Sequence, residues 1–368
     1  MENFDVKKVV DELKTLISIP SYEDCDQIQT YLMERLNYIP FEKQYVGKGN
    51  LYNIHYLKQP FLINTHVDTV PPIDMKNPFE AVEKDGKIYG RGAADTKGLI
   101  ASLIMALDMF KQNFPEKEIP VSIAFTVDEE QHTALGSEKL LEILDGISYS
   151  LVLEPTYGKI CNKQMGTLEF ELEVRSKSVH ASEFEKTENP VKLAFDYINN
   201  VEKNLERPMN IIKFQSGWEY YATPKSAEIL SEIKLFEGEY FEELEKRMLN
   251  LIEMDRFKGK IVYKRVDVED FLDFGATEGF EILKDAYIKA TGENPDVSIM
   301  PSWTDAANLY KKGISSTVFG FGSLADSHTE REHIAIQDLE KMTKVLYNFL
   351  TILSHLPASK TGSNPRFL

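Results

Sequence analysis

The stretch VSIAFTVDEE, residues 121–130, joins a short apolar run to three carboxylates. Residues 121–127 are rich in β-branched side chains, which is typical of a strand buried on both faces of a sheet. Asp128, Glu129 and Glu130 then crowd together where the strand ends, and such crowding is unfavourable unless cations or hydrogen-bond donors offset it. Taken alone, the triplet also fits a solvated first turn of the next helix, where carboxylates suit the helix dipole. Polar residues elsewhere in the chain decide between the two interpretations.

The composition is that of a globular protein without a nucleic-acid-binding role. Of 368 residues, 42% are hydrophobic and 27% are charged, and the net charge of −17 argues against a basic binding face. Two cysteines are too few for a disulfide framework or a thiolate metal site. No signal peptide is visible, and the most apolar helical stretch, residues 99–110, is too short to span a bilayer. We therefore expect a cytoplasmic protein with no membrane association.

Strand-like and helical segments alternate in the first and last parts of the chain. Four short apolar runs predict buried strands, and they lie at residues 60–65, 121–127, 150–153 and 315–319. Segments with helical spacing of apolar residues separate them, and these lie at residues 98–112, 135–145, 278–290 and 336–354. This alternation predicts an α/β domain with a mostly parallel sheet between two layers of helices.

The pattern changes near residue 162. Segments there predict strands with one wet face and amphipathic helices in the order β-α-β-β-α-β, which is the ferredoxin-like arrangement. We therefore expect a compact domain inserted into the first one. The predicted boundaries are 1–163 for the first part of the catalytic domain, 164–272 for the insertion and 273–368 for the second part of the catalytic domain.

Imidazoles and carboxylates follow the predicted strands. In open α/β sheets, ligands bind beyond the carboxyl ends of the strands, so five separate segments should meet at one edge. An N/O ligand set without thiolates suits Zn²⁺, Co²⁺ or Mn²⁺, and the carboxylates are numerous enough for two metal ions. The residues concerned are His66, Asp68, Asp95, Glu129, Glu130, Glu154 and His328.

Spacing gives some of these residues a chemical role. His66 and Asp68 are two apart and share one face of a strand, so Asp68 can orient the imidazole. Glu129 and Glu130 are adjacent and must diverge, so one can bind metal while the other acts as general base. Spacing alone does not say which glutamate does which.

Five motifs occur in order along the chain: HVDTVP at 66–71, GRGAADTKG at 90–98, DEE at 128–130, EPT at 154–156 and SVHAS at 178–182. The sequence from residue 5 to about residue 355 thereby resembles the acetylornithine deacetylase / succinyl-diaminopimelate desuccinylase / glutamate carboxypeptidase family of co-catalytic zinc hydrolases. This resemblance implies that the insertion is a lid and dimerisation domain. It also implies a homodimer and two divalent metal ions, Zn²⁺ first, with Co²⁺ and Mn²⁺ as alternatives.

The resemblance assigns a ligand role to five side chains. Asp95 would bridge the two metal ions. His66 and Glu154 would complete the first site, and Glu130 and His328 would complete the second.

Three further residues receive catalytic roles from the resemblance. Glu129 would be the general base, which takes a proton from a water between the metals and gives it to the leaving amine. Asp68 would orient His66. His180 would reach the scissile carbonyl from the neighbouring subunit and stabilise the oxyanion, whereas without the resemblance it is best interpreted as a surface loop residue.

Candidate substrate-binding residues depart from the family pattern. Tyr221 stands where relatives usually carry Asn, and Lys234 stands where they carry an Arg that binds a carboxylate. A lysine attracts a carboxylate but cannot form the planar two-point fork of an arginine. Thr304 and Asp305 are further candidates, and Ala307 occupies a position at which desuccinylases tend to carry Arg. The missing arginine disfavours a succinyl substrate.

The first functional hypothesis is a two-metal amidohydrolase that cleaves N-acyl amino acids, with an N-acetylornithine-type substrate and a place in arginine biosynthesis. Alternatives within the family are a succinyl-diaminopimelate desuccinylase and a dipeptidase or carboxypeptidase, although Glu154 in place of Asp disfavours an aminopeptidase. A non-catalytic binding protein is a remote alternative, because no predicted ligand or base is missing. A nucleotide-dependent enzyme using Gly90 and Gly92 is rejected, because Asp95 occupies the third glycine position.

Overall fold

The computed structural model describes residues 4–130, 134–217 and 220–356. Contacts divide the chain into two compact units. The first unit comprises residues 1–163, 273–300 and 304–368, and the inserted unit comprises residues 164–272 and 301–303.

The helices, in chain order, are α1 (Val6–Ile17), α2 (Asp26–Arg35), α3 (Lys97–Asn113), α4 (Leu135–Leu140), α5 (Pro190–Leu205), α6 (Phe241–Ile252), α7 (Glu278–Thr291), α8 (Ala306–Lys311) and α9 (Ile336–Leu353). A 3₁₀ helix occupies Ala181–Lys186. Among the described residues, no helix combines the length and the apolarity that crossing a bilayer would require.

The strands, in chain order, are β1 (Glu42–Tyr45), β2 (Tyr52–Tyr56), β3 (Phe61–His66), β4 (Val82–Lys84), β5 (Lys87–Tyr89), β6 (Ser122–Thr126), β7 (Tyr149–Val152), β8 (Ile160–Gln164), β9 (Gly166–Arg175), β10 (Asn210–Ser216), β11 (Ser226–Leu235), β12 (Ile261–Glu269), β13 (Leu272–Asp273), β14 (Val297–Met300), β15 (Ser315–Phe319) and β16 (His333–Ala335).

A nine-stranded sheet forms the centre of the first unit, in the order β1-β2-β6-β3-β7-β15-β8-β13, with β14 paired to β8. Strands β6, β3, β7 and β15 are parallel and buried along almost their whole length, because helices cover the sheet. The pairs β1–β2, β2–β6 and β15–β8 are antiparallel. Only six residues separate β1 from β2, too few for a crossover helix, so that edge cannot be parallel.

Two groups of helices pack on this sheet. Helices α1, α3, α7 and α9 pack against one another, whereas α4 and α8 contact each other and the strands β2, β6, β7 and β15. Helix α3 is buried from Lys97 to Leu107, which explains why its sequence is apolar on all sides rather than along one stripe. The predicted α/β class with a mostly parallel central sheet is confirmed.

The inserted unit has a four-stranded antiparallel sheet in the order β10-β11-β9-β12. Burial alternates along β9 and β11, as the period-two sequence pattern predicts. Helices α5 and α6 contact these strands and each other, and Phe170, Tyr197 and Phe257 are fully enclosed in the resulting core. The element order β9-α5-β10-β11-α6-β12 is the predicted ferredoxin-like arrangement.

A small third sheet belongs to the first unit and has the order β16-β5-β4. Strands β4 and β5 form the hairpin that Asp85-Gly86 predicts, and both residues have positive φ, 51° and 72°. Strand β16 pairs with β5 and was not predicted from the sequence. Its pairing brings the chain that follows His328 beside the chain that leads to Asp95.

Candidate metal centre

The carboxyl ends of neighbouring parallel strands carry the candidate site. Strand β3 ends at His66, β6 ends two residues before Asp128, and β7 ends two residues before Glu154. These strands are adjacent and parallel in the sheet, so their carboxyl ends lie at one edge. The topology therefore brings the three segments together, as the sequence predicts.

Asp95 lies between two histidines. Its Oδ1 is 3.1 Å from His66 Nε2, and its Oδ2 is 3.5 Å from His328 Nε2. Glu154 Oε1 is 3.6 Å from His66 Nε2, and Glu130 Oε2 is 2.9 Å from His328 Nε2. The five predicted ligands thus form two groups that share Asp95, one oxygen of which faces each group.

The donor atoms fit a divalent cation. One ligand atom each from His66, Asp95 and Glu130 lies within 4.8 Å of the other two. Within the described residues, Glu130 Oε1 and Glu154 Oε1 are buried and have no hydrogen-bond partner. Burial raises the pKa of Glu154 to about 8 and also raises the pKa of Glu130. Buried carboxylate oxygens that lack hydrogen-bond donors are suited to metal ligation, which would offset their charge.

Asp68 contacts His66 in a way that the spacing argument does not predict. The backbone oxygen of Asp68 is 3.0 Å from His66 Nδ1, whereas its Oδ1 is 3.6 Å away. The carboxylate instead accepts a hydrogen bond from Glu130 N at 2.9 Å. The strand ends at His66, so the two residues no longer share a strand face. Asp68 therefore couples the orientation of His66 to the position of Glu130.

Asp128, which precedes the two glutamates, has a left-handed backbone conformation. Asp128 has a φ of 66°, a conformation that aspartate tolerates better than most residues. Its buried carboxylate accepts a hydrogen bond from Lys48 Nζ at 2.6 Å. Burial raises the pKa of Glu129 well above its ordinary value, and the charges of Glu154 and Glu130 act in the same direction. Glu129 therefore belongs to the same electrostatic cluster as the candidate ligands.

Thr304 and Asp305, which were predicted to contact substrate, are buried and hydrogen-bonded to other residues of the protein. Asp305 is 1% exposed and accepts a hydrogen bond from Thr126 Oγ1 at 2.7 Å. Thr304 is equally buried, and its hydroxyl accepts a hydrogen bond from Ala306 N at 3.3 Å, at the start of α8. These contacts indicate that the two side chains support the end of β6 and the beginning of α8.

The other three predicted residues lie on the inserted unit. His180 and Tyr221 are exposed, their ring centroids are 6.1 Å apart, and a β-bridge joins His180 to Ala222. Lys234 Nζ is 3.1 Å from both Glu232 Oε2 and Thr167 Oγ1. A neighbouring carboxylate therefore already compensates the charge of Lys234.

Two buried charged residues of the site region were not singled out from the sequence. Arg91 and Glu332 are each 1% exposed and form an ion pair of 2.6 Å. They are 241 positions apart, so no local pattern links them. Their burial alone signals a specific role, because charged residues are seldom fully buried unless they are paired.

Residues 62–352 match the sequence profile of peptidase family M20/M25/M40. The chain belongs to this family. The resemblance drawn from the five motifs is therefore confirmed.

Relatives extend over most of the chain. It is 27% identical over 372 residues to an uncharacterized metallohydrolase of Methanocaldococcus jannaschii, covering 89% of this chain and 90% of that protein. It is also 27% identical over 356 residues to a succinyl-diaminopimelate desuccinylase of Rickettsia bellii, covering 86% of each. These matches include the inserted unit as well as the first one.

Solved structures share the fold. A tripeptidase from Staphylococcus aureus superposes with a TM-score of 0.78 at 20% identity, covering 96% of this chain and 99% of that one. Human carnosine dipeptidase 1 superposes with a TM-score of 0.77 at 16% identity, covering 95% and 97%. Members of the family are metal-dependent amide hydrolases, so this protein is a metal-dependent amide hydrolase as well.

Metal ions should stabilise the fold, because only the native state assembles the ligands. At a free Zn²⁺ concentration 100 times the dissociation constant, the free energy of unfolding should rise by about 2.7 kcal/mol. The midpoint of thermal unfolding of metal-depleted protein, measured with and without Zn²⁺, reports this gain. His328→Asn should reduce the gain, whereas His355→Asn, two residues beyond the end of α9, should leave it unchanged. Equal gains in the wild type and His328→Asn would contradict the assignment of His328.

Proposed function

We propose that this protein hydrolyses the amide bond of small N-acyl amino acids, with an N-acetylornithine-type substrate as the first candidate. The observation that carries the proposal is the placement of Asp95, whose two carboxylate oxygens face His66 and His328 separately. A shared carboxylate of this kind suits two metal ions held side by side. Such pairs serve hydrolytic reactions in which a water attacks a polarised carbonyl.

Five side chains would hold the metal ions. His66 and Glu154 would bind one ion, Glu130 and His328 would bind the other, and Asp95 would bind both. Zn²⁺ is the first candidate for this N/O ligand set, with Co²⁺ and Mn²⁺ as alternatives. When bound, the ions supply Lewis-acid activation of water and of the amide carbonyl.

Glu129 would move the proton. Its carboxylate would accept a proton from the attacking water and then deliver it to the nitrogen of the leaving amine. The electrostatic contact of Glu129 with the candidate ligands supports the assignment, because burial and the charges of Glu154 and Glu130 all raise its pKa and so favour uptake of a proton. Asp68 would keep His66 and Glu130 in place through the contacts described above.

His180 would stabilise the oxyanion of the tetrahedral intermediate. Ser182 N donates a hydrogen bond to His180 Nδ1 at 3.3 Å, so in the neutral imidazole the proton is on Nε2. The exposed ring thus presents an N–H donor, which is what an oxyanion requires. We propose further that the inserted unit is a lid and dimerisation domain and that His180 acts on the substrate of the partner subunit.

A desuccinylase is the second candidate. The Rickettsia bellii relative carries that name and supports it. Two features of this chain oppose it: Ala307 is fully buried in α8 where an arginine would face a succinyl carboxylate, and Lys234 is already paired with Glu232. We therefore place the acetylated substrate first.

A substrate panel tests the proposed function. Purified protein loaded with Zn²⁺, Co²⁺ or Mn²⁺ should hydrolyse N-acetylornithine and related N-acetyl amino acids with a higher kcat/KM than N-succinyl-diaminopimelate or dipeptides. Amine release measured with each compound gives the ranking. A preference for the succinylated compound would replace the first candidate by the second, and two bound metals without turnover on any of them would overturn both.

Substitution of the two adjacent glutamates separates their roles. Glu129→Gln should retain both metal ions and lose activity by about 10²–10⁴-fold, because only the proton acceptor is removed. Glu130→Gln should lose metal as well as activity. Metal analysis and kcat are measured on both, with Glu138→Gln on the exposed side of α4 as control. Near-normal turnover of Glu129→Gln would show that the roles within the pair are wrongly assigned.

The role of His180 has its own test. His180→Ala should lower kcat by about 10²–10³-fold without loss of metal, because one oxyanion donor is removed. Mixing His180→Ala with Glu129→Gln should restore about one quarter of the wild-type activity, since half of randomly exchanged dimers are hybrids with one intact site. Each variant mixed with itself is the control. A mixture that stays inactive although hybrid dimers form would exclude action across the interface.

A further inference from the structure

The carboxylate of Glu332 is enclosed by donors from the loop that carries Asp95. Its Oε2 accepts hydrogen bonds from Arg91 Nη1 at 2.6 Å and Gly92 N at 3.0 Å. Its Oε1 accepts from Ala94 N and Asp95 N, both at 3.1 Å. Three backbone N–H groups of one loop thus converge on a single buried carboxylate, and one of them belongs to Asp95 itself. This arrangement fixes the path of the loop immediately before the candidate bridging ligand.

Arg91 extends the same contact to the chain beside His328. Its Nη2 donates to the backbone oxygen of Thr329 at 3.4 Å and to that of Pro72 at 3.2 Å. Glu332 also lies four residues after His328, and its backbone oxygen accepts from Gly90 N at 3.4 Å. The Arg91–Glu332 pair therefore joins the loop that carries Asp95 to the loop that carries His328.

The two halves of the candidate centre are supported differently. His66 ends a central strand, and Glu154 follows one by two residues, so the sheet itself holds them. His328 lies on a loop, has a φ of 61°, and its side chain is 49% exposed. Neighbouring strands therefore cannot set the distance from His328 to Asp95 and Glu130. The contact between the two loops through Arg91 and Glu332 can set this distance.

We propose that Glu332 is a positioning residue for the second metal ion, because its carboxylate holds the Asp95 loop and, through Arg91, the His328 loop in register. This inference rests on the proposed dinuclear centre. Removal of the Glu332 charge leaves Arg91 buried without its partner and weakens the bonds to three backbone N–H groups. The consequence falls on Asp95, which would bind both ions, and on His328, which would bind only the second. The ligands at the strand ends stay in place, so the second ion loses more support than the first.

The expected result is an asymmetric loss of metal. Substitutions of residues that orient metal ligands typically lower metal affinity by about 10–100-fold. In Glu332→Gln, the affinity for the ion held by Glu130 and His328 should fall by that factor. The other ion shares Asp95 but keeps His66 and Glu154, so its affinity should fall less. Activity should be low at stoichiometric Zn²⁺ and should recover toward the wild-type kcat when Zn²⁺ is in excess.

A competition titration of the metal-depleted full-length protein measures this directly. Zn²⁺ is added in the presence of a chromophoric chelator, and two stepwise dissociation constants are fitted for the wild type and Glu332→Gln. Glu12→Gln is the matched control. Glu12 is also a buried carboxylate of the first unit, bonded to Arg35 at 2.9 Å and to Tyr31, but it lies on α1 away from the site. It should leave both dissociation constants unchanged.

Arg91→Lys provides a second variant that keeps the positive charge. A lysine can pair with Glu332 but cannot at the same time reach Thr329 and Pro72 as the guanidinium does. Its second dissociation constant should lie between those of the wild type and Glu332→Gln. If Glu332→Gln does not fold, the comparison of Arg91→Lys with the wild type decides the question by the same measurement.

The outcomes separate this inference from the proposed function. Two tight ions in the wild type, with the second weakened more than the first in Glu332→Gln, support the positioning role. Two tight ions in both proteins, or an equal weakening of both ions, overturn it and leave the proposed function standing. Fewer than two ions in the wild type would overturn the dinuclear centre itself.

Discussion

Repulsion among the carboxylates at the carboxyl edge of the central sheet is the constraint on which the first unit depends. Asp95, Glu130 and Glu154 are almost entirely withdrawn from water, and the charges of Glu154 and Glu130 further raise the pKa of Glu129. Burial of such groups costs free energy unless opposite charges compensate it. Divalent cations would supply that compensation. The features that make the site unfavourable without metal are therefore those that give it metal affinity.

Adjacent parallel strands are well suited to hold charges against this repulsion. The strand pairs β3–β6 and β3–β7 fix His66 and the first residues after β6 and β7 through backbone hydrogen bonds that do not depend on side-chain charge. Asp68 adds a contact between two of these segments, since its backbone oxygen holds His66 and its carboxylate holds Glu130. The hydrogen-bonded backbone thus holds the carboxylates close together although their mutual repulsion would drive them apart.

The strands and helices whose burial follows a regular pattern were predictable from the sequence. A strand of the central sheet such as β6 is a continuous apolar run, because it is buried on both faces. A strand of the inserted unit such as β9 alternates, because one face meets the core and the other meets water. Strand β1 was missed, because EKQY is an exposed edge without an apolar period. Asp68 was expected to reach His66 through its carboxylate, but the strand ends at His66, two residues before Asp68, and the backbone oxygen of Asp68 makes the closer contact.

Contacts between distant single residues leave no such pattern. Arg91 lies within the motif GRGAADTKG, yet its partner Glu332 is 241 positions away, and neither residue is distinguished by periodicity or spacing.

The same reasoning explains why substrate choice is harder to infer from the sequence than reaction class. The proposed hydrolysis requires a fixed set of ligands at one sheet edge, and the order of the motifs predicts such a set. Substrate choice depends on a few side chains, and of the candidates predicted here Tyr221 is exposed and Lys234 already has a carboxylate partner. A desuccinylase is among the relatives, and a tripeptidase and a dipeptidase are among the solved structures with this fold, as expected when one fold hosts sites of different specificity.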